Sequence, residues 1–168
     1  SLTKQESWLN DSAVNPISTT TYTARGLIET QTDPLGHTTS YVYDNTSTYA
    51  IKVTNALDQP TFFDYDIGTG NLNWEEKNNI RKNYYYDTFS RPVKEVMPYD
   101  SLYYPTKSYN YTFDGTAPES IKVSMREHSN VTSDVYYFYD GNAQLIQLKS
   151  PADGDSQVVK NIYYDSMG

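Results

Sequence analysis

Asp33-Pro34-Leu35-Gly36-His37-Thr38-Thr39-Ser40-Tyr41-Val42-Tyr43-Asp44 holds two turn signals with a strand between them. Asp-Pro-Leu-Gly joins a carboxylate that bonds its own backbone, a fixed φ and a glycine, which together specify a tight turn. Thr38 to Tyr43 is β-branched and aromatic, the composition of an extended segment. On a pleated strand Tyr41 and Tyr43 share one face, Val42 points the other way, and Asp44 reverses the chain again.

Working outward, the same aromatic-aspartate couple returns along nearly the whole chain, and such self-similarity outranks any local reading. The copies are Tyr43-Asp44, Tyr65-Asp66, Tyr86-Asp87, Phe113-Asp114, Tyr139-Asp140 and Tyr164-Asp165, with Tyr22-Thr23 as a degenerate first member. From Thr23 to Asp165 the spacings are 21, 22, 21, 27, 26 and 25 residues. Three residues before each aspartate stand Tyr41, Phe63, Tyr84, Tyr111, Tyr137 and Ile162, all large. Three residues after the turn residue stand Gly26, Ser47, Thr69, Ser90, Ala117, Ala143 and Gly168, all small. The small residue is read as keeping the corner uncrowded.

A second strand should follow each turn, as in Tyr49 to Val53, Pro92 to Val96, Ile121 to Met125 and Leu145 to Leu148. Pro, Gly, Asn and Asp then separate the units, at 33–36, 55–58, 97–100 and 150–154. The unit is strand, aspartate turn, strand, and no room is left for helix. Only Glu75 to Lys82 carries no assignment. The expected fold is all-β: consecutive antiparallel hairpins forming an open, curved sheet. Residues 22–168 hold about six degenerate copies, truncated within a repeat, and residues 1–21 are a leading segment, a divergent partial repeat.

Composition agrees. A chain of 168 residues has the length to build a core without staples. Yet Tyr supplies 18 residues against 5 Phe, so much of the apolar material carries a hydroxyl, which suits a thin sheet wetted on at least one face. The formal charge of -8 repels phosphate backbones and argues against nucleic acid. With no cysteine, disulfides and thiol chemistry are excluded. No apolar run reaches the roughly 20 residues of a membrane helix, and the opening Ser1-Leu2-Thr3-Lys4-Gln5-Glu6 lacks an apolar leader core.

The pattern Tyr-Asp-x-x-Gly, a strand, Asp-Pro-Leu-Gly and a Thr-rich strand into the next Tyr-Asp resembles the YD repeat of RHS proteins. Asp33 to Asp44 is the nearest stretch, and Tyr164-Asp165-Ser166-Met167-Gly168 matches the repeat's opening. The resemblance spans roughly Tyr22 to Gly168. It departs from the family where the turn glycine is replaced and where the Arg that usually follows survives only as Arg91. The family includes bacterial polymorphic toxins, the B and C components of Tc toxins, and teneurins. The resemblance implies an arc of a hollow β-shell that encloses or presents a C-terminal effector, on a secreted or cell-surface protein. A single Asp-Pro-x-Gly tetrapeptide stands where self-cleaving members carry a pair, so no proteolytic residue is carried over.

Rival chemistries are weaker. Calcium loops gather several oxygen ligands in one short segment, whereas each repeat offers one aspartate beside a turn; Asp64 with Asp66, and Asp153 with Asp155, come nearest. His37 and His128 fit no metal or nucleophile spacing. The aromatic columns suit sugar stacking, but packing between neighbouring repeats is the stronger reading. Asn10, Asn45, Asn110 and Asn130 head Asn-x-Ser/Thr triplets, which matter only on a glycosylating route. The sequence is thus read as a scaffold, not an enzyme, without metal or cofactor. Its expected partners are the remaining repeats and the effector of the parent chain, with self-association through sheet edges. The alternative is an adhesion or glycan-binding module, and a hydrolase is a more distant one.

Overall fold

The structure is a computed structural model that describes residues 2–7, 15–154 and 156–165. Among these residues there is no helix; strands β1 to β14 follow chain order in an open antiparallel sheet. The chain divides into two compact units, Ser1–Arg81 and Lys82–Gly168.

The first unit contains β1 (Lys4–Glu6), β2 (Ile17–Tyr22), β3 (Ile28–Thr32), β4 (Thr38–Tyr43), β5 (Ala50–Thr54), β6 (Pro60–Tyr65), β7 (Leu72–Lys77) and the start of β8 (Ile80–Tyr86). Residues directly opposite share a face, so the register Tyr41↔Val53↔Thr61 and Phe63↔Glu75 puts the recurrent rings on one side. The other side is mixed, with Val42, Phe62 and Trp74 beside Lys52, Asp64 and Glu76, and turns polar toward β2 and β3. There Thr21 and Thr30 hydroxyls meet at 2.7 Å, and Thr32 and Thr38 at 2.8 Å. The described part of the leading segment joins this sheet, with Gln5 opposite Ser18 and the Tyr22 hydroxyl donating to Leu2 O at 2.6 Å.

Glu75 to Lys82, unassigned from sequence, is a hairpin. β7 ends at Lys77, Asn78 and Asn79 both adopt positive φ (53° and 61°), and β8 begins at Ile80. Two left-handed residues match the right-handed twist of the flanking strands, and Asn tolerates that region better than most residues. The sequence cue was a pair of asparagines rather than a glycine, which hid the turn.

The second unit holds the rest of β8 and β9 (Pro92–Val96), β10 (Lys107–Thr112), β11 (Glu119–His128), β12 (Val131–Tyr139), β13 (Leu145–Pro151) and β14 (Gln157–Asn161). Its aromatic side follows the register Tyr109↔Val123↔Val135 and Tyr111↔Ile121↔Tyr137↔Leu148. The lengthened spacing between Asp87 and Asp114 includes an insertion at 97–106 between β9 and β10.

The chain is long enough for a core but builds almost none. Val96, 7% exposed, is the one buried hydrophobic side chain among the described residues, and no buried polar side-chain atom lacks a partner there. Cohesion must then come from ladder hydrogen bonds, cross-strand pairs and turns. That places unusual weight on the turns.

Candidate functional site

The recurrent aspartates stand at the turns. Tyr43, Tyr65, Tyr86 and Tyr139 each end a strand, and Asp44, Asp66, Asp87 and Asp140 open the turn that follows. In each case the aspartate N–H donates across the turn: to Tyr49 O, Asn71 O, Arg91 O and Gln144 O respectively, at 2.8–3.0 Å. The carboxylate folds back onto the same loop. Asp87 Oδ1 accepts from Phe89 N (2.9 Å) and Arg91 N (3.0 Å), Asp140 Oδ1 from Asn142 N and Gln144 N, and Asp44 Oδ1 from Thr48 N and Tyr49 N. Asp66 Oδ1 accepts from Thr69 N at 2.7 Å.

Opposite every one of these four tyrosines the register slips by a residue. Tyr43 faces Ala50 after Val42 faces Lys52, Tyr65 faces Leu72, Tyr86 faces Pro92 and Tyr139 faces Leu145. Each unit therefore pairs an aspartate-braced turn with a bulge, a device that turns and twists a strand.

The small column has a sharper cause than lack of room. Gly26, Ser47, Ser90 and Ala143 all lie in the left-handed region (φ 82°, 59°, 60° and 60°). Thr69 does not; in its turn the bond back to the aspartate carbonyl comes from Gly70 N, four residues on rather than three, and Gly70 takes the left-handed position (φ 78°). A Cβ on Gly70 would also come within 3.0 Å of the Tyr49 hydroxyl, whose ring stacks on Tyr65 at 4.8 Å.

Sequence reasoning missed that the turns between units use the same device. Asp33 N donates to His37 O, Gly36 N to Asp33 O, and Asp33 Oδ1 accepts from Leu35 N and His37 N. Asn55 repeats this arrangement with Leu57, Asp58 and Gln59, Asp58 taking the left-handed place at φ 57°. The signal was present: Asp-Pro-Leu-Gly and Asp-x-x-small are the same four-residue grammar.

Tyrosine hydroxyls stitch successive units. Tyr43 donates to Ile28 O (2.9 Å), Tyr111 to Pro92 O (2.8 Å) and Tyr164 to Leu145 O (3.0 Å). Ile28, Pro92 and Leu145 each open a strand and face the tyrosine that ends the preceding one. In the fourth copy the stitch comes from Tyr111. Phe113 lies past the end of β10, 44% exposed, and Asp114 accepts from Thr116 N at 2.9 Å, with Gly115 left-handed. Tyr164 and Asp165 lie beyond β14.

These environments hold the carboxyls charged. The Thr46 hydroxyl, together with backbone N–H groups of Tyr49, Thr48 and Thr46, draws Asp44 down to about 2. Backbone bonds from His37 and Thr69 lower Asp33 and Asp66. At Asp87, burial pushes upward but the backbone and side chain of Arg91 outweigh it. A carboxyl depressed in the folded state stabilises it fully above its unfolded value of roughly 4 and loses that contribution as pH falls. The denaturant midpoint is therefore expected to hold down to about pH 4 and to decline from there toward pH 2. Asp44→Asn should flatten that decline; an unchanged slope in urea titrations at successive pH values would remove the turn carboxylates from the account.

Other chemistry finds little geometry. Among the described residues no three His, Asp or Glu side chains gather as a metal site. Asp64 accepts from Asn73 Nδ2 at 3.0 Å while Asp66 is turned to Thr69. The Asp153 and Asp155 pair falls partly outside the described residues. His37 Nδ1 sits 2.9 Å from Asp33 Oδ2 on an exposed turn, and His128 ends β11 opposite Val131. No helix among the described residues is long and apolar enough to cross a membrane.

No protein-family model matches the chain, and no curated protein does. Solved structures do. A crystal structure of TcdB2-TccC3-Cdc42 superposes with TM-score 0.52 at 15% identity, covering 92% of this chain and 10% of that one. TcdB2-TccC3 without its hypervariable C-terminal region gives 0.50 at 16%, again covering 92% and 10%. The chain has the RHS/YD-repeat fold. It spans about a tenth of the length of the chains it matches. At these identities the likeness concerns the fold alone.

Proposed function

We propose that the chain is a non-catalytic scaffold, one stretch of the wall of an RHS/YD shell that encloses or presents an effector belonging to the same polypeptide. The observation that carries the reading is the superposition on TcdB2-TccC3 chains, joined to the finding that the repeated carboxylates brace turns rather than converge on a cleft. One of those relatives has a hypervariable C-terminal region, which fits a constant wall around a changing cargo. Secretion or display at a cell surface belongs to the same reading.

A wall segment must join further strands. β14 offers an edge for this: all five residues of Gln157–Asn161 are exposed, with Val158 at 53% and Val159 at 48%. β1, only three residues and charged at Lys4 and Glu6, is the better protected edge. Sedimentation velocity at increasing concentration should give reversible association of the 168-residue chain. The double substitution Val158→Lys and Val159→Lys should suppress it. A monomer at every concentration would count against the wall.

A further inference from the structure

Lys122 and Lys149 stand over neighbouring rings on one face of the second unit, and only one of the two is neutralised. Tyr136 and Phe138 stack at 6.3 Å; Lys122 Nζ lies 5.6 Å from the Tyr136 centroid and Lys149 Nζ 4.9 Å from that of Phe138. Asp134 Oδ2 sits 2.6 Å from Lys122 Nζ. Among the described residues Lys149 has no carboxylate within ion-pair distance. The Phe138 ring attracts the ammonium, yet offers its three N–H groups nothing comparable to a carboxylate oxygen.

This ammonium lines a pocket of about 510 Å³, within the roughly 300–1,000 Å³ of small-molecule sites. Its floor is the cross-strand row Phe138↔Gln147↔Asn161. The adjacent row is Tyr137↔Leu148↔Lys160, so the pocket lies on the face opposite the recurrent rings. Pro118, just ahead of β11, and Ile162 and Tyr163, just past β14, add apolar surface to it. Tyr163 is 87% exposed, a ring left in water at the rim. Gln147 Nε2 donates to Asn161 Oδ1 at 2.8 Å, which fixes the amide pair and leaves the Asn161 N–H groups for a ligand. No acidic side chain lines the pocket, in a chain with 21 Asp and Glu.

These groups ask for two things in one molecule: a flat apolar body against Phe138 and Tyr163, and a negative head at Lys149 with the Asn161 amide as second donor. We infer that the pocket binds a small aryl carboxylate, its ring laid on Phe138 and its carboxylate paired with Lys149 Nζ. The formal charge of -8 opposes an anion at long range. At physiological salt that field is screened over about 8 Å, which leaves the local ammonium to decide. The site is independent of the wall reading. A strand added beyond β14 would lie in the plane of the sheet, about 4.8 Å further out, and not over the face of β12 and β13. Association through β14 tests the wall, and acid binding by the monomer tests the pocket.

The whole 168-residue chain is titrated with naphthoate and indoleacetate, and with their neutral counterparts naphthylmethanol and indoleacetamide. Heteronuclear NMR at concentrations where the chain is monomeric, together with calorimetry, follows the binding. At least one acid should shift the resonances of Phe138, Lys149 and Asn161 to Tyr163. It should bind roughly tenfold more tightly than its neutral counterpart, the worth of one charge-assisted hydrogen bond. Lys149→Met should abolish that preference and Lys149→Arg should keep most of it. Lys160→Met removes the same charge from the other face of β14 and should leave the preference intact. Circular dichroism of each variant separates lost binding from lost fold. No binding of either acid by the folded chain overturns the inference, as does equal binding of acid and neutral compound, or a preference that survives Lys149→Met.

Discussion

Glu95→Ala is expected to lower the unfolding free energy by about 2–3 kcal/mol, the cost of stranding partly buried polar partners. Glu95 sits on the aromatic side of the second unit, its side chain only 16% exposed. Its carboxylate lies 2.6 Å from Lys82 Nζ, accepts from the Tyr109 hydroxyl at 2.6 Å, and has Lys107 at 3.9 Å. Burial pushes the Glu95 carboxyl up, but the bonds from Lys82 and Tyr109 outweigh it and hold it below its ordinary value. Burial acts first on Tyr109 too, and there Glu95 adds to it, driving the phenol well up. Removing the carboxylate leaves an ammonium and a hydroxyl half-withdrawn from water. Glu95→Gln should recover about half the loss, since an amide oxygen still accepts from Tyr109 but does not balance Lys82. Urea unfolding measures both; a loss under about 0.5 kcal/mol would mean water already supports the cluster.

Arg91 is the second position where a single change should tell, at about 2 kcal/mol for Arg91→Ala. Its Nε and Nη2 both lie 2.7 Å from Asp87 Oδ2, bracing the turn from the far side. Its guanidinium carbon also lies 4.5 Å from the Tyr111 ring centroid, 5.2 Å from Phe89 and 5.5 Å from Phe113. With about a third of the side chain exposed, each contact is worth a fraction of its buried value. Arg91→Lys should regain less than half, because an ammonium neither stacks flat nor grips two ways. Equal stability of the Lys variant and the parent in thermal unfolding would reduce Arg91 to a point charge. Arg91 thus joins a turn carboxylate to the Tyr111 ring of β10.

The contrast between these two residues marks how far the sequence was legible. Turns and strands were readable because their causes are local: Asp87 through Arg91 is a complete instruction within five residues, and Pro92 to Val96 is the strand it implies. The partners of Glu95 were not, because Lys82 and Tyr109 meet it only through cross-strand register. The stitch was hidden in the same way. Tyr111 and Phe113 read as a column residue and a couple residue, yet Tyr111 is the one that reaches Pro92 O, a choice made by the β9–β10 register. The small column was visible but its cause was not, since φ at Ser47 and Ala143 is a property of the closed turn. The insertion at 97–106 showed in sequence only as a lengthened interval and a breaker cluster at 97–100.

Few side chains in this fold are fully withdrawn from water, Val96 being the buried hydrophobic among the described residues and most strand residues being part-buried. Unfolding then hydrates less new apolar surface than in a domain with a dense core, so its heat-capacity increment should lie below the roughly 12–15 cal/mol/K per residue of ordinary domains. Stability in such a chain varies gently with temperature, held by hydrogen bonds whose strength depends only weakly on warming or cooling. Tolerance of a broad thermal range follows from the thinness of the sheet rather than from any dense interior.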